Sequence, residues 1–179
     1  MAPRPLPKVR DMIIAMLVLL VPIMLIYAWF TRIPDDTVRP VDWQAVLAVA
    51  KAEASYPVAA PVNLPPTWTA VRARWTPKGD PGLDGEPAIG DTWQLGFLTP
   101  ERIYIGLDQR DVDQAGLVTK ATRTGVRSGE VVLSGRTWTT WESRDRRTRS
   151  LSRQDSSSVV VISGDLPLVQ LQAFVGTLG

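Results

Sequence analysis

Along this chain, hydrophobic and polar positions change their rhythm three times. Met12 to Phe30 carries no charge, and its one strongly polar group is the Tyr27 hydroxyl. At helical rise these residues cover roughly 28 Å, about the hydrocarbon thickness of a bilayer. The Leu, Ile, Val and Phe side chains among them favour insertion by roughly 3–6 kcal/mol. Pro22 falls mid-run, where it kinks a membrane helix without preventing insertion. Tyr27 and Trp29 fit an aromatic belt at the far interface. A cleaved signal peptide is the competing reading. The run is longer than a usual apolar signal core, and Trp29-Phe30-Thr31-Arg32 offers no small-x-small cleavage site.

The next rhythm is helical. After a short linker, Asp42 is placed to cap a helix whose stripe is Trp43, Val46, Leu47, Ala50 and Ala54. A proline-rich connector from Pro57 to Pro66 follows. The pattern then turns to strands: Trp68 to Trp75, Thr92 to Leu98 and Arg102 to Leu107, with a Gly- and Pro-rich loop over Thr76 to Gly90. Asp111 is expected to cap a short helix through Ala121. Four further strands are predicted at Glu130 to Ser134, Arg136 to Glu142, Thr148 to Gln154 and Ser158 to Ser163. Val159 to Ile162 is continuously apolar and suits a central strand covered on both faces. Asp165 is expected to cap a last helix, Leu166 to Leu178, with the stripe Leu168, Leu171, Phe174, Val175 and Leu178. Short turns between consecutive strands imply an antiparallel sheet, and both flanking helices must bury their stripes on it.

The predicted fold is therefore α+β. An antiparallel sheet of about six to seven strands lies between N- and C-terminal helices, and one transmembrane helix precedes it. The expected organisation is a basic tail at 1–11, the membrane helix at 12–30, a linker at 31–39 and an extracytoplasmic domain at 40–179.

Charge and composition narrow the chemistry. The 179 residues hold 20 Lys and Arg against 18 Asp and Glu, and the excess lies before the apolar run, in Arg4, Lys8 and Arg10. That bias places the N-terminus in the cytoplasm and the domain outside. From Thr31 onward basic and acidic residues balance, which argues against a nucleic-acid partner. There is no cysteine and no histidine. Disulfides, thiolate catalysis, a Ser-His-Asp triad and a His-based zinc site are excluded.

LPPTW followed by RARW, then WQLGFLTPERIYIGLDQ, SGRTWTTW and the closing VVVISGDLPLVQLQAF resemble DUF4245, a family of actinobacterial single-pass membrane proteins of unknown function. RDMIIAMLVLLVPIML resembles that family's anchor, so the likeness runs from about Arg10 to Leu178. It implies an anchor plus a domain, and it brings no catalytic signature and no residue roles. The order of elements is also similar to PsbP and Mog1-type domains, an analogy of fold that says nothing about function.

Four constellations of side chains could carry a function. Arg136, Arg144, Arg146, Arg147, Arg149 and Arg153 face only Glu142 and Asp145 in this stretch. Of these, Arg144, Arg146, Arg147 and Arg149 are the candidate contact with anionic lipid or another anionic ligand. A solvated hairpin that discourages edge pairing is the plainer alternative. Asp108, Asp111 and Asp113 begin like a calcium loop, but the required Gly and later Glu are missing, so a turn with a helix cap is preferred. Trp43, Trp68, Trp75, Trp93, Trp138 and Trp141 suit a core better than a ligand groove. The serines sit in no Ser-x-x-Lys or Gly-x-Ser-x-Gly context. The sequence reading is a non-catalytic, membrane-anchored module of the cell envelope, binding a protein or lipidic ligand and using no cofactor or metal. The alternative is an envelope hydrolase working through Asp, Glu or Ser.

Overall fold

The computed structural model describes residues 9–30, 39–83 and 85–179. The chain divides into two compact units, one holding the apolar helix and the other beginning at Arg39. The expected tail and linker therefore lie largely outside the described residues.

The first unit is α1, Val9–Phe30, a helix of 22 residues with Pro22 inside it. It begins three residues before the uncharged run and takes in Arg10 and Asp11. None of its side chains is buried, and it is long and apolar enough to cross a bilayer. By length and composition alone, such a helix near the N-terminus is either a membrane span or a signal sequence.

The second unit is built on seven strands: β1 Thr69–Thr76, β2 Thr92–Leu98, β3 Tyr104–Arg110, β4 Val126–Leu133, β5 Arg136–Glu142, β6 Arg149–Gln154 and β7 Val159–Gly164. Their spatial order is β1-β2-β3-β7-β6-β5-β4, and every neighbouring pair is antiparallel. The middle of the sheet is thus β7, and Val159, Val160, Val161 and Ile162 are all buried. Both faces of the strand must be covered, as its unbroken apolar run requires.

On the inner face lie α2, Trp43–Glu53, and α4, Leu168–Val175. They close over Trp93, Leu95, Phe97, Ile105, Leu107, Trp138, Leu151, Val160 and Ile162. Leu171 and Phe174 are both buried, as their spacing predicts. Phe174 stacks on Trp68 at 5.6 Å and meets Phe97 at 6.0 Å. The proline-rich connector is part of this layer. Val58, Ala59 and Ala60 are buried against the sheet. Gln109 of β3, itself buried, accepts from Ala59 N at 2.8 Å and donates to Pro57 O at 2.8 Å and Ser158 Oγ at 3.0 Å. Trp93 Nε1 donates to Ala59 O at 3.0 Å. A segment that cannot form a ladder of its own, because prolines lack donors, is held by side chains instead.

On the outer face lies α3, Gln114–Ala121. Leu117, Val118 and Ala121 cover Val159 and Val161.

Several caps and boundaries differ from the sequence reading, and β4 begins at Val126, four residues before the expected Glu130. Asp42 caps α2 as expected, accepting from Gln44 N and Ala45 N. The cap of α3 is Asp113 rather than Asp111. Asp113 takes a left-handed backbone (φ 48°) and accepts from Gly116 N, whereas Asp111 accepts from Val112 N and Ser55 Oγ. At α4 the cap position is Pro167, which makes no side-chain cap bond. Asp165 is drawn away as acceptor for the Thr148 hydroxyl, and the helix is shorter at both ends than Leu166 to Leu178. Finally, β3 runs on through Asp108, Gln109 and Arg110, beyond the expected end at Leu107.

Truncating Phe174 to Ala should remove packing against Trp68 and Phe97 at a fully buried site. The expected cost is about 3–5 kcal/mol, read from chemical denaturation of residues 39–179. A loss below about 1 kcal/mol would mean that α4 is peripheral to the core.

Candidate functional site

The registers define two ends of the sheet. Thr69, Leu98, Tyr104, Gly164, Arg149 and Glu142 lie at one of them. The chain joins the domain at this proximal end, where Val41 N donates to Ala70 O at 2.9 Å. Thr76, Thr92, Arg110, Val159, Gln154 and Leu133 lie at the distal end.

Charge is divided between the ends. Arg39, Arg102, Arg123, Arg144, Arg146 and Arg147 gather at the proximal end, against Asp42, Glu101, Asp145 and Asp165. The distal end holds Asp80, Glu86, Asp91, Asp111, Asp113 and Asp155 against Lys78 and Arg136, with Asp113 and Asp155 paired to Arg110 and Arg153. A domain that is neutral in sum is therefore polarised in space. The proximal loop between β5 and β6 holds three of the four candidate arginines, Arg144, Arg146 and Arg147, all exposed. Ser143 Oγ and Arg147 N both donate to Asp145, which shapes the loop and holds its carboxyl below the usual range. The fourth candidate, Arg149, is half-buried. It reaches Glu142 at 3.9 Å and Leu166 O at 3.4 Å, so it is partly engaged within the fold.

A second feature was missed from sequence. The outer face is polar, and its residues fall in rows across the ladder. The distal row is Thr76, Thr92, Arg110 and Val159. The middle row is Arg74, Gln94, Asp108 and Val161. The proximal row is Arg72, Gly96, Gly106 and Ser163. Gly96 and Gly106 leave a bare strip over which the Tyr104 ring lies. A Cβ at Gly96 would collide with the Tyr104 hydroxyl oxygen. The loop between β1 and β2 folds beside these rows as a small hairpin. It is tied by Gly79 N to Ala88 O and Ala88 N to Asp80 O, both 2.8 Å, and by Arg74 Nη2 to Pro81 O at 2.6 Å. Between this loop and α3 the rows form the floor of an open groove of about 510 Å³.

Asp108 sits on that floor and accepts from Gln94 Nε2 at 2.8 Å. Burial raises its carboxyl above the usual range, against the opposing pull of Arg72, the Gln94 hydrogen bond, Lys120 and Arg110. Arg110 donates to Asp113 O at 2.7 Å and Oδ2 at 3.0 Å, while its buried Nε has no partner. The three aspartates that begin like a calcium loop are thus dispersed: Asp108 in the groove, Asp111 on Ser55, Asp113 on α3. Among the described residues no cluster of His, Cys, Asp or Glu could hold a metal. None of the tryptophans lines the groove. Trp93 and Trp138 are core, and Trp43, Trp68 and Trp75 pack against it. Trp141 lies on the outer face, where Nε1 donates to Ser152 Oγ at 2.8 Å. Alternation along β1, β2 and β3 is the signal that marks the groove, but it is complete only once β3 is extended to Arg110.

The class is thus an α+β domain on a seven-stranded antiparallel sheet, in a chain with one apolar helix near its N-terminus. The chain belongs to the DUF4245 family, proteins of unknown function, whose family model matches residues 4–178. Among solved structures it is similar to MucB in complex with MucA(peri), at 12% identity and a TM-score of 0.37, over 68% of this chain and 36% of that one. The chain spans about a third of the length of that MucB chain. No curated protein matches it.

Asp108 gives a signed test. The folded state holds this proton more tightly than the unfolded chain. The ionised carboxylate therefore costs stability above its folded pKa, and the cost fades as the pH falls through that value. Asp108→Asn should stabilise residues 39–179 near neutral pH, with the gain shrinking under mildly acidic conditions. Denaturation midpoints across that range measure it. A variant less stable than wild type at neutral pH would mean that the attraction to Arg72, Lys120 and Arg110 outweighs burial.

Proposed function

We propose that this protein is a non-catalytic, single-pass module of the cell envelope. Its N-terminus is cytoplasmic, and its domain is held outside against the anionic membrane surface by its proximal end. The observation that carries this reading is the polarised charge: the arginine-rich end is the end at which the chain joins the domain. The residues between Phe30 and Arg39, even fully extended, reach no more than about 30 Å. That tether keeps the proximal end near the bilayer, where each arginine at an anionic surface contributes about 1 kcal/mol. The acidic distal end turns the other way, since a dipole in the membrane's field prefers this orientation. Arg10 and the basic residues before it support the cytoplasmic N-terminus. The absence of a small-x-small site after Trp29 supports a retained anchor over a cleaved signal. The lack of His and Cys supports a binding role over hydrolysis.

Two measurements test this. Alkaline phosphatase fused after Gly179 should be active, as an exported reporter is. Activity only from a cytoplasmic reporter would overturn the orientation. In co-sedimentation with anionic vesicles at low salt, residues 39–179 should bind, and Arg144→Gln, Arg146→Gln and Arg147→Gln together should weaken binding by roughly 100-fold. Added salt should erase the difference. Equal binding by both proteins would remove the membrane contact from the proposal.

A further inference from the structure

We propose that the groove on the outer face binds an amphiphilic anion. Its phosphate or carboxylate would rest between Arg72 and Lys120, and its apolar body along the β1–β2 loop. This site is separate from the arginine loop and does not depend on how the domain meets the membrane.

Three observations carry the inference. First, among the described residues the lining brings Arg72, Arg110, Lys120 and Arg123 together with Asp108 and Glu86, and Arg110 is also paired with Asp113. These cations come from three different elements: Arg72 from β1, Arg110 from β3, and Lys120 and Arg123 from the end of α3 and the turn after it. Such convergence is not produced by the alternation of any one strand. Second, donors there are left over. Among the described residues the Arg72 and Lys120 side chains make no hydrogen bond or ion pair, and the buried Nε of Arg110 has no acceptor. Arg110 Nε is closed off from the groove, so the donors open to an oxyanion are those of Arg72 and Lys120. Third, the adjoining wall is apolar. Leu83 and Ile89, both large, stand 66% and 51% exposed on a loop that its own hydrogen bonds hold in place. Cations on the floor beside exposed aliphatic side chains on the wall match a ligand with one charged end and one greasy end.

A phosphate group reaches this face either free or attached to an alkyl chain, and the two sources bind differently. The full chain, held in zwitterionic nanodiscs in phosphate-free buffer, is titrated by calorimetry with inorganic phosphate, hexyl phosphate and hexanol, with empty nanodiscs as the blank. Hexyl phosphate should bind roughly 10-fold more tightly than inorganic phosphate, from burial of a few methylenes, and hexanol should not bind measurably. Arg72→Gln with Lys120→Gln should weaken hexyl phosphate by roughly 10- to 100-fold through loss of charge-assisted hydrogen bonds. An unchanged thermal midpoint shows that the double variant is folded. Ile89 is exposed, so Ile89→Ser leaves the fold intact. It should remove the advantage of hexyl over inorganic phosphate while inorganic phosphate binds as before. Equal affinity for the two phosphates in the wild type would overturn the amphiphilic ligand and leave a free-anion site. No binding of either phosphate, or binding indifferent to the Arg72 and Lys120 changes, would overturn the site itself.

Discussion

Strand β7 is apolar at four consecutive positions, and alternate side chains point to opposite faces of the sheet. It must therefore be covered twice. On the inner face α2, α4 and the connector at Pro57 to Pro61 supply a full layer around Val160 and Ile162. On the outer face only α3 is available, and its eight residues are about 12 Å long. It suffices for Val159 and Val161 and leaves β1, β2 and the rest of β3 without a covering element. Those strands carry Arg72, Arg74, Thr92, Gln94, Asp108 and Arg110 on that face, and the β1–β2 loop folds beside them. The groove is the space that a short helix leaves on a wide sheet.

The same geometry separates two kinds of charge. Several charged side chains along the strands are held by neighbours: Arg74 by Thr76 and Pro81, Asp108 by Gln94, Arg153 by Asp155 and over the Trp138 ring at 4.9 Å. In the turns at the two ends they face water. There the sign follows from which loops the topology sends to which end. Every connection is a return between antiparallel strands except the crossover from β3 to β4, where α3 carries the chain from the distal end back to the proximal one, so loops alternate ends along the chain. Those at 99–103, 122–125 and 143–148 meet at one end, and those at 77–91, 111–113 and 155–158 at the other. Isolated exposed ion pairs such as Arg127 with Glu130 contribute little to stability. A separated array of charges contributes to where the domain sits and which way it turns.

Among the inner-layer contacts, Gln109 links pieces far apart in sequence. Its amide fastens the connector to β3 and reaches Ser158 at the start of β7, and a buried amide with these partners tolerates few substitutes. Tyr56 adds a second tie: its hydroxyl donates to Asp91 O at 3.0 Å, and burial pushes its ionisation well above the usual phenol range. Together they turn a proline-rich stretch into a wall of the core.

By itself the sequence determined the apolar helix, the strand-rich centre, the Asp42 cap, the buried pair Leu171 and Phe174, and the central place of Val159 to Ile162. These are local signals of period and composition, and burial obeys them directly. The chemistry excluded by the absence of His and Cys was equally legible. Tertiary structure alone decided the rest. Asp111, Asp113 and Asp165 are equal as caps in sequence. Which of them caps depends on Ser55 and Thr148, partners distant along the chain. The end of β3 could not be read at Asp108-Gln109-Arg110, because a buried polar Gln and two charges break the apolar alternation. Only the pairing with β2 and β7 keeps them in the ladder. The groove and the polarised ends require knowing which strands are neighbours, and neighbours in space are set by the order β1-β2-β3-β7-β6-β5-β4, which no local pattern encodes.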